Sequence, residues 1–172
     1  MAYRYRAVAS IEKAHGNKGK VVAIPRPGLP CLLIEGMRVA LVPPDLDTDR
    51  FATVEEVEDG GTGQLVSFSG IRDRDAASRC VGKTVLLDER DLPEGFWSMD
   101  AASLIGKRIL DEGRGLSGSI DSILIGVQNV WEIHLDDGRE VLLPAVEDFL
   151  GDIDGDGIIR VRIPDGLIEG GR

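Results

Sequence analysis

The stretch YRAVASIEKAHGNKGKVVAIP, residues 5–25, indicates how the N-terminal half folds. It holds two runs rich in strand-forming residues, 5–11 and 20–25, on either side of a charged segment that contains glycine and asparagine. β-Branched residues favour strands, whereas glycine and asparagine favour the turn between them. The pattern therefore predicts a β-hairpin whose loop spans residues 12–19.

The rest of the N-terminal half has further strand-like segments and one helical segment. The predicted strands lie within residues 37–43, 50–58, 63–70 and 83–88. Residues 73–82 have the apolar spacing of a short helix, which Asp73 can cap and Gly82 can end. Six strands with one short helix predict a closed barrel.

The C-terminal half also has mostly strand character. The predicted strands lie within residues 107–112, 117–126 and 158–164, and residues 129–144 form a hairpin that turns at Asp137-Gly138. A single helical turn is expected over residues 145–151. Residues 89–95 are charged and contain proline and glycine, which suits a linker. The chain is therefore predicted to be mainly β, with a barrel-like plan in both halves.

Residues 152–157 read DIDGDG and match the first six positions of a calcium-binding EF-hand loop. Such a loop also needs a bidentate glutamate at its twelfth position. Ile163 occupies that position here, and Arg160 occupies the ninth, where a ligand or its water belongs. The segment is therefore predicted to be a β-turn before the last strand, with Asp156-Gly157 at positive φ and no bound metal.

The formal net charge of −10 is concentrated in one half of the sequence. Residues 1–90 hold 13 basic and 13 acidic side chains, whereas residues 91–172 hold 7 basic and 17 acidic ones. The first 26 residues carry six basic side chains against one acidic residue, Glu12. This asymmetry favours two kinds of partner, although a solvated surface without any partner explains it equally well.

Residue patterns typical of catalysis or cofactor binding do not occur in the sequence. There is no phosphate-binding loop, zinc-ligand spacing or dinucleotide fingerprint. His15 is placed in a loop and His134 on the polar face of a strand, neither of them beside a nucleophile. Cys31 and Cys80 are interpreted as buried packing residues. We therefore predict no catalytic residue, no cofactor and no metal, and a binding or assembly protein rather than an enzyme.

Six segments follow one another in an informative order. They are AVASIEKAHGNKGKV (7–21), GIRDRDAASRCVGKTVLL (70–87), DLPEG (91–95), SLIGKRI (103–109), REVLLPAVEDFLGDID (139–154) and IIRVRIPDGLIE (158–169). Their order and spacing resemble the bacterial ribosome maturation factor RimM family over nearly the whole chain. The resemblance implies an all-β fold of two small β-barrel domains. It places a six-stranded barrel with one short helix at residues 1–89, a linker at 90–102 and a PRC-barrel-like domain at 103–172.

The resemblance also implies a non-catalytic assembly factor. The family binds the head of the immature small ribosomal subunit (30S) and assists 16S rRNA processing and subunit maturation. The expected partners are thus this subunit, a ribosomal protein of its head and 16S rRNA. A cytoplasmic monomer without a membrane partner is expected, since the sequence lacks a membrane-length apolar run and a signal-peptide core. The alternatives are a small-ligand or flavin-binding β-barrel enzyme and a PRC-barrel adaptor unrelated to ribosomes.

The candidate partner-binding residues are Phe96, Trp97, His15, Lys18 and Lys20. The family usually carries adjacent tyrosines after the Leu-Pro-Glu-Gly linker, and these matter for ribosome binding. Phe96 and Trp97 are the aromatic equivalents here, although phenylalanine lacks the hydroxyl group of tyrosine. Two alternatives are open. Phe96 and Trp97 could instead fill the groove between the barrels. His15, Lys18 and Lys20 could instead be solvated loop side chains without a partner.

Charge suggests which half meets which partner. The basic N-terminal loop and strand suit RNA phosphates. The acidic C-terminal half suits a ribosomal protein, because ribosomal proteins are generally basic. The reverse assignment, with the N-terminal barrel on protein, stays open.

Overall fold

The computed structural model describes residues 4–46 and 49–168. It divides the chain into two compact units, Met1–Glu94 and Gly95–Arg172, which we call unit 1 and unit 2. Strands predominate in both, and the predicted fold class, mainly β with two small barrel-like units, is confirmed. Among the described residues, no helix combines the length and the apolar character that crossing a membrane would require.

Unit 1 is a closed barrel of antiparallel strands. Its strands are β1 (Tyr5–His15), β2 (Lys20–Pro25), β3 (Arg38–Val42), β4 (Phe51–Asp59), β5 (Gln64–Phe68) and β6 (Thr84–Asp88). They close in the order β1-β2-β5-β4-β3-β6. Helix α1 (Arg74–Cys80) connects β5 to β6, and a 3₁₀ helix (Glu89–Asp91) follows β6. The six strands and the short helix predicted for this half are therefore present in the described residues.

The first hairpin differs from its prediction in where the loop begins. β1 continues to His15, which pairs with Lys20 at the start of β2, so the connection is the turn 16–19. Residues 12–15, predicted as loop, belong to the strand. A β-bulge just after Ile11 keeps that side chain in the core while the charged residues that follow point to solvent. For this reason the charged run does not end the strand.

Helix α1 has the start and the buried face that its sequence predicts. Asp73 caps it by accepting a hydrogen bond from the backbone N–H of Ala76 at 2.8 Å. The buried face consists of Ala76, Ala77 and Cys80. The chain leaves the helix through Gly82, whose φ is +86°.

The two cysteines have different environments. Cys80 is buried, and its burial raises the pKa of the thiol. Cys31 is exposed, so the prediction that it is a buried packing residue is wrong. It lies in the irregular segment between β2 and β3, where no regular alternation directs side chains into the core.

Unit 2 is built on one six-stranded sheet. Its strands are β7 (Arg108–Asp111), β8 (Leu116–Leu124), β9 (Val130–Leu135), β10 (Glu140–Pro144), β11 (Leu150–Ile153) and β12 (Ile159–Val161), and its helices are α2 (Phe96–Met99), α3 (Ala101–Leu104) and α4 (Asp165–Ile168). The strand order is β10-β9-β8-β7-β12-β11. Neighbouring strands are antiparallel except for β12 and β7, which pair in parallel.

Alternating residues of these strands form the core of unit 2. Trp131, Ile133 and Leu135 of β9 are each 1% exposed or less, as the predicted alternation requires. Asp111 at the end of β7 is also buried, and it accepts a hydrogen bond from the backbone N–H of Ile163 at 2.8 Å. This bond fixes the segment after β12 to the end of β7.

Two segments of unit 2 depart from the predictions. The single helical turn predicted over residues 145–151 is shorter than expected: the N–H of Leu150 donates to the carbonyl of Val146, as in one helical turn, but residues 150–151 already belong to β11. Helices α2 and α3, which lie before β7, have no predicted counterpart. Each has only four residues, which is too short for an apolar period to be visible in the sequence.

Candidate partner-binding surfaces

The turn between β1 and β2 depends on two glycines with left-handed backbone conformations. Gly16 has a φ of +64° and Gly19 has a φ of +82°. A Cβ atom on Gly19 would lie 2.3 Å from the carbonyl oxygen of Ile71, so only glycine fits there. Ile71 belongs to the loop 69–73 between β5 and α1, and the turn therefore rests on that loop.

This turn presents exposed basic side chains. Lys18 is exposed and has no hydrogen bond or ion pair with any residue in the described part of the chain. The same holds for Lys13, which lies nearby in β1. His15 is exposed at the end of β1 and interacts electrostatically with Glu58. The turn and the adjoining end of β1 thus offer two lysine charges that remain available to an anion.

Lys20, also predicted for this site, is already paired. Its Nζ lies 2.5 Å from a carboxylate oxygen of Glu58 and 3.0 Å from one of Glu56, both on β4. The hydrogen bonds with Glu58 and then Glu56 raise the pKa of Lys20, and the bond with Lys20 lowers the pKa of Glu58. The structure thus brings His15 and Lys18 to one turn, whereas Lys20 is held on the barrel wall by two carboxylates.

Phe96 and Trp97 are the first two residues of α2. They follow Gly95, whose φ of +76° turns the chain into the helix. Phe96 is 7% exposed. Trp97 is half-buried and packs against the core of unit 2. A partner could contact only the part of the Trp97 ring that stays exposed, and a role for either residue in partner binding stays a prediction.

A group of arginine and aromatic side chains on unit 1 was not among the predicted site residues. The Cζ atom of Arg38 lies 4.5 Å from the centroid of the Phe51 ring, and the Cζ of Arg50 lies 5.9 Å from it. The Tyr5 ring is tilted by 42° to Phe51 at a centroid distance of 6.1 Å. We call Tyr5, Arg38, Arg50 and Phe51 the arginine–aromatic cluster. Sequence reasoning missed it because its members come from three strand regions that only the closed barrel brings together.

The acidic segment 152–157 forms the predicted turn. Oδ1 of Asp154 accepts hydrogen bonds from the backbone N–H groups of Asp156 at 3.0 Å and Ile158 at 2.9 Å. Gly157 has a φ of +80°, whereas Asp156 does not adopt positive φ, so only the glycine of the predicted pair is left-handed. Across residues 4–46 and 49–168, no group of three or more His, Cys, Asp or Glu side chains is arranged to hold a metal ion.

These features define a class of protein: a closed β-barrel with a basic turn, followed by an acidic β-sheet unit. A sequence profile described as the RimM N-terminal domain matches residues 7–92. The chain is 32% identical over 171 residues to the ribosome maturation factor RimM of Oleidesulfovibrio alaskensis, covering 96% of both chains. It is 30% identical over 176 residues to that of Nitratidesulfovibrio vulgaris, covering 98% of this chain and 96% of the other.

The comparison extends to solved structures. A crystal structure described as a 16S ribosomal RNA processing protein, RimM, from Pseudomonas aeruginosa is 22% identical, with a TM-score of 0.42 and coverage of 95% of this chain and 99% of that one. The profile match and the full-length relatives decide the family. This chain belongs to the RimM family of ribosome maturation factors.

Proposed function

We propose that this protein assists maturation of the small ribosomal subunit as a binding factor and catalyses no reaction itself. The observation that carries the proposal is its relationship to ribosome maturation factors over 96% of the chain. In this proposal the protein acts as a cytoplasmic monomer. It binds the head of the immature subunit, contacts a ribosomal protein and 16S rRNA there, and supports processing of that RNA.

Unit 1 offers the surface better suited to RNA. Lys13 and Lys18 are exposed near the turn 16–19 and have no carboxylate partner among the described residues. Lysine side chains of this kind bind phosphates and release counterions, which supplies much of the affinity for RNA. Lys20 contributes less in this proposal, because an incoming phosphate would have to compete with two glutamates.

Unit 2 offers the surface better suited to a basic ribosomal protein. Residues 95–172 carry 7 basic and 15 acidic side chains, a net charge of −8. Complementary charge speeds the encounter of two proteins and disfavours partners of the same sign. The exposed part of Trp97 provides an aromatic contact of the kind that often dominates interface energies.

The proposed mechanism is a shift in population. An immature subunit samples several arrangements of its head, and a factor that binds one of them more tightly increases the fraction in that arrangement. Contacts with RNA from unit 1 and with protein from unit 2 would favour the arrangement that presents both surfaces together. Release follows when the mature head no longer fits both contacts.

Gradient co-sedimentation with purified free small subunits, large subunits and whole ribosomes tests the proposal. We expect binding to free small subunits alone. Replacing Lys13 and Lys18 together with glutamine should weaken this binding roughly 3- to 10-fold at moderate salt, because two phosphate contacts are lost.

The matched control replaces Arg4 and Arg26 with glutamine. Arg4 precedes β1 and Arg26 follows β2, so both lie at the barrel end opposite the turn 16–19. Both are exposed, and neither side chain has a partner among the residues that the structure describes. Equal weakening by both double variants would contradict the role of the turn. No binding to any particle at low and moderate salt would contradict the proposed function, and a bound chromophore would then favour the ligand-binding barrel.

A further inference from the structure

The arginines of the arginine–aromatic cluster have no carboxylate partner, unlike three other arginines of the barrel. Arg6, Arg72 and Arg90 each bind a glutamate or aspartate. Arg38 and Arg50 have no such ion pair within the described residues, and both contact the Phe51 ring instead. Their charge is therefore not neutralised by a nearby bound carboxylate.

The Phe51 ring orients these guanidinium groups. A guanidinium over an aromatic face is held by cation–π attraction, which restricts its rotation at the surface. Arg38 is exposed, and Phe51 is 37% exposed. A planar guanidinium held in this way can stack on a nucleobase and donate N–H groups to a phosphate.

A surface depression of about 310 Å³ lies beside the cluster. It is lined by Arg38, Asp49, Arg50, Phe51, Ala52, Thr53 and Ser69. This volume is at the lower end of the range of about 300–1,000 Å³ for small-ligand sites, which suits a single nucleotide. The Asp49 carboxylate would repel a phosphate at its side of the depression but would accept hydrogen bonds from base N–H or ribose hydroxyl groups.

The depression is connected through one loop to the basic turn. Ser69 lines the depression, and Ile71, two residues further along, supports Gly19 of the turn. An RNA strand that occupies the depression could therefore continue toward Lys18. This continuity places a stacking element and a phosphate-binding element on the same unit.

We propose that the arginine–aromatic cluster binds an unpaired nucleotide of single-stranded RNA, with Arg38 and Arg50 on its phosphate and base and Phe51 holding both arginines in place. The inference rests on the proposed function, since it specifies how unit 1 would contact ribosomal RNA. A basic ribosomal protein is the less suitable occupant, because the depression carries two guanidinium groups against one carboxylate and its net charge would repel a basic partner. Duplex RNA is less suitable as well, because its bases are not available for stacking.

Fluorescence anisotropy with a fluorescein-labelled ten-nucleotide oligouridine and with a labelled RNA duplex tests this inference. We expect the single strand to bind more tightly. The double variant Arg38→Gln with Arg50→Gln should bind it at least about 10-fold more weakly, with the slope of log K against log salt reduced by about one, because one phosphate contact is lost. Phe51→Leu keeps an apolar side chain but removes the π face, and should weaken binding about 5-fold.

The double variant Arg26→Gln with Arg79→Gln is the matched control, since both arginines are exposed outside the cluster and the depression and neither has a hydrogen bond or ion pair within the described residues. It should stay within about 3-fold of the unsubstituted protein, because it removes only long-range attraction. Equal losses in the control and the cluster variants, or equal affinity for single strand and duplex, would overturn the inference. So would a cluster variant that loses small-subunit binding but keeps oligouridine binding, since its partner would then be a protein.

Co-sedimentation separates failure of this inference from failure of the proposed function. If the unsubstituted protein binds small subunits and the Arg38→Gln with Arg50→Gln variant binds them equally well, the cluster inference fails and the proposed function stands. If the unsubstituted protein binds no ribosomal particle, the proposed function fails, whatever the oligonucleotide shows. Thermal melting of each variant confirms that it is folded before binding is compared.

Discussion

The turn 16–19 of unit 1 and the turn 154–157 of unit 2 both connect antiparallel strands through left-handed glycine, and both lie in densely charged sequence of opposite sign. In the acidic turn, Asp154 accepts two backbone hydrogen bonds and so forms part of the turn itself. In the basic turn, the shape depends on the close fit of Gly19, and Lys18 makes no bond within the described residues. The number of charged residues in a segment therefore does not show how many of those charges are available to bind a partner.

The largest effect should come from the glycine on which the basic turn depends. Gly19→Ala combines a left-handed backbone with a contact of 2.3 Å to a carbonyl oxygen, and should reduce the free energy of unfolding by about 3 kcal/mol. Gly16→Ala has the same kind of backbone but nothing within 4 Å of its Cβ, and should cost about 1 kcal/mol. Urea unfolding followed by far-ultraviolet circular dichroism measures both.

Each glycine variant is a control for the other. Both place alanine in a left-handed backbone conformation, but only Gly19→Ala brings its Cβ close to the carbonyl oxygen of Ile71. Similar losses in both would show that the loop 69–73 moves away at little cost. The turn would then not be held against that loop, and the continuous path from the turn to the arginine–aromatic cluster would lose its structural basis.

A smaller effect is expected at the acidic turn. Asp154→Ala leaves two backbone N–H groups without their acceptor and should cost about 1 kcal/mol, whereas Asp154→Asn keeps an acceptor oxygen and should cost less. Asp152→Ala is the control, since its side chain has no hydrogen-bond partner among the described residues, and should change stability by about 0.5 kcal/mol or less. Fluorescence of Trp131, which is buried in unit 2, reports the urea transition.

The same samples test the interpretation of this segment as a turn. Calcium should leave the melting temperature unchanged, and replacing Asp152, Asp154 and Asp156 together with asparagine should leave small-subunit binding unchanged. A calcium-dependent rise in melting temperature that the triple variant lacks would show that the segment is a cation site.

The contrast between the turns also explains which features the sequence predicts. The acidic turn was predictable because its hydrogen bonds join residues at most four positions apart. The helix cap at Asp73 is local in the same way. The pairing of Lys20 with Glu56 and Glu58 depends on the order β2-β5-β4, which lets Lys20 reach across β5 to residues almost forty positions away in the sequence.

Local patterns fail for the candidate surface for the same reason. The arginine–aromatic cluster joins β1, β3 and the start of β4, and its only local trace is the adjacent pair Arg50-Phe51. The parallel pairing of β12 with β7 could not be predicted from the alternation of apolar and polar residues in either strand. That alternation indicates which face of a strand is buried, but not which strand lies next to it.

The smallest expected effects distinguish a lysine that is paired from one that is not. Lys20→Gln should lower the melting temperature at pH 7 by on the order of 1–2 °C, because an exposed ion pair contributes little. Lys18→Gln should leave the melting temperature unchanged yet weaken small-subunit binding about 3-fold. Lys20→Gln should weaken that binding less. Differential scanning calorimetry and co-sedimentation of both variants make the comparison.

The pH dependence of the melting temperature identifies the cause of the Lys20 effect. The bond with Lys20 lowers the pKa of Glu58, so its contribution is present above the ordinary glutamate pKa of 4.5 and is lost as pH falls through the lower folded value. The pKa of Lys20 is raised, so the same contribution is lost at alkaline pH, as pH rises through a value above 10.5. The difference between Lys20→Gln and the unsubstituted protein should therefore be largest between these limits and disappear outside them. A difference that persists after the pH has fallen below the folded pKa of Glu58 would instead assign the effect to packing of the lysine stem, and Lys20 would then be no less available to phosphate than Lys18.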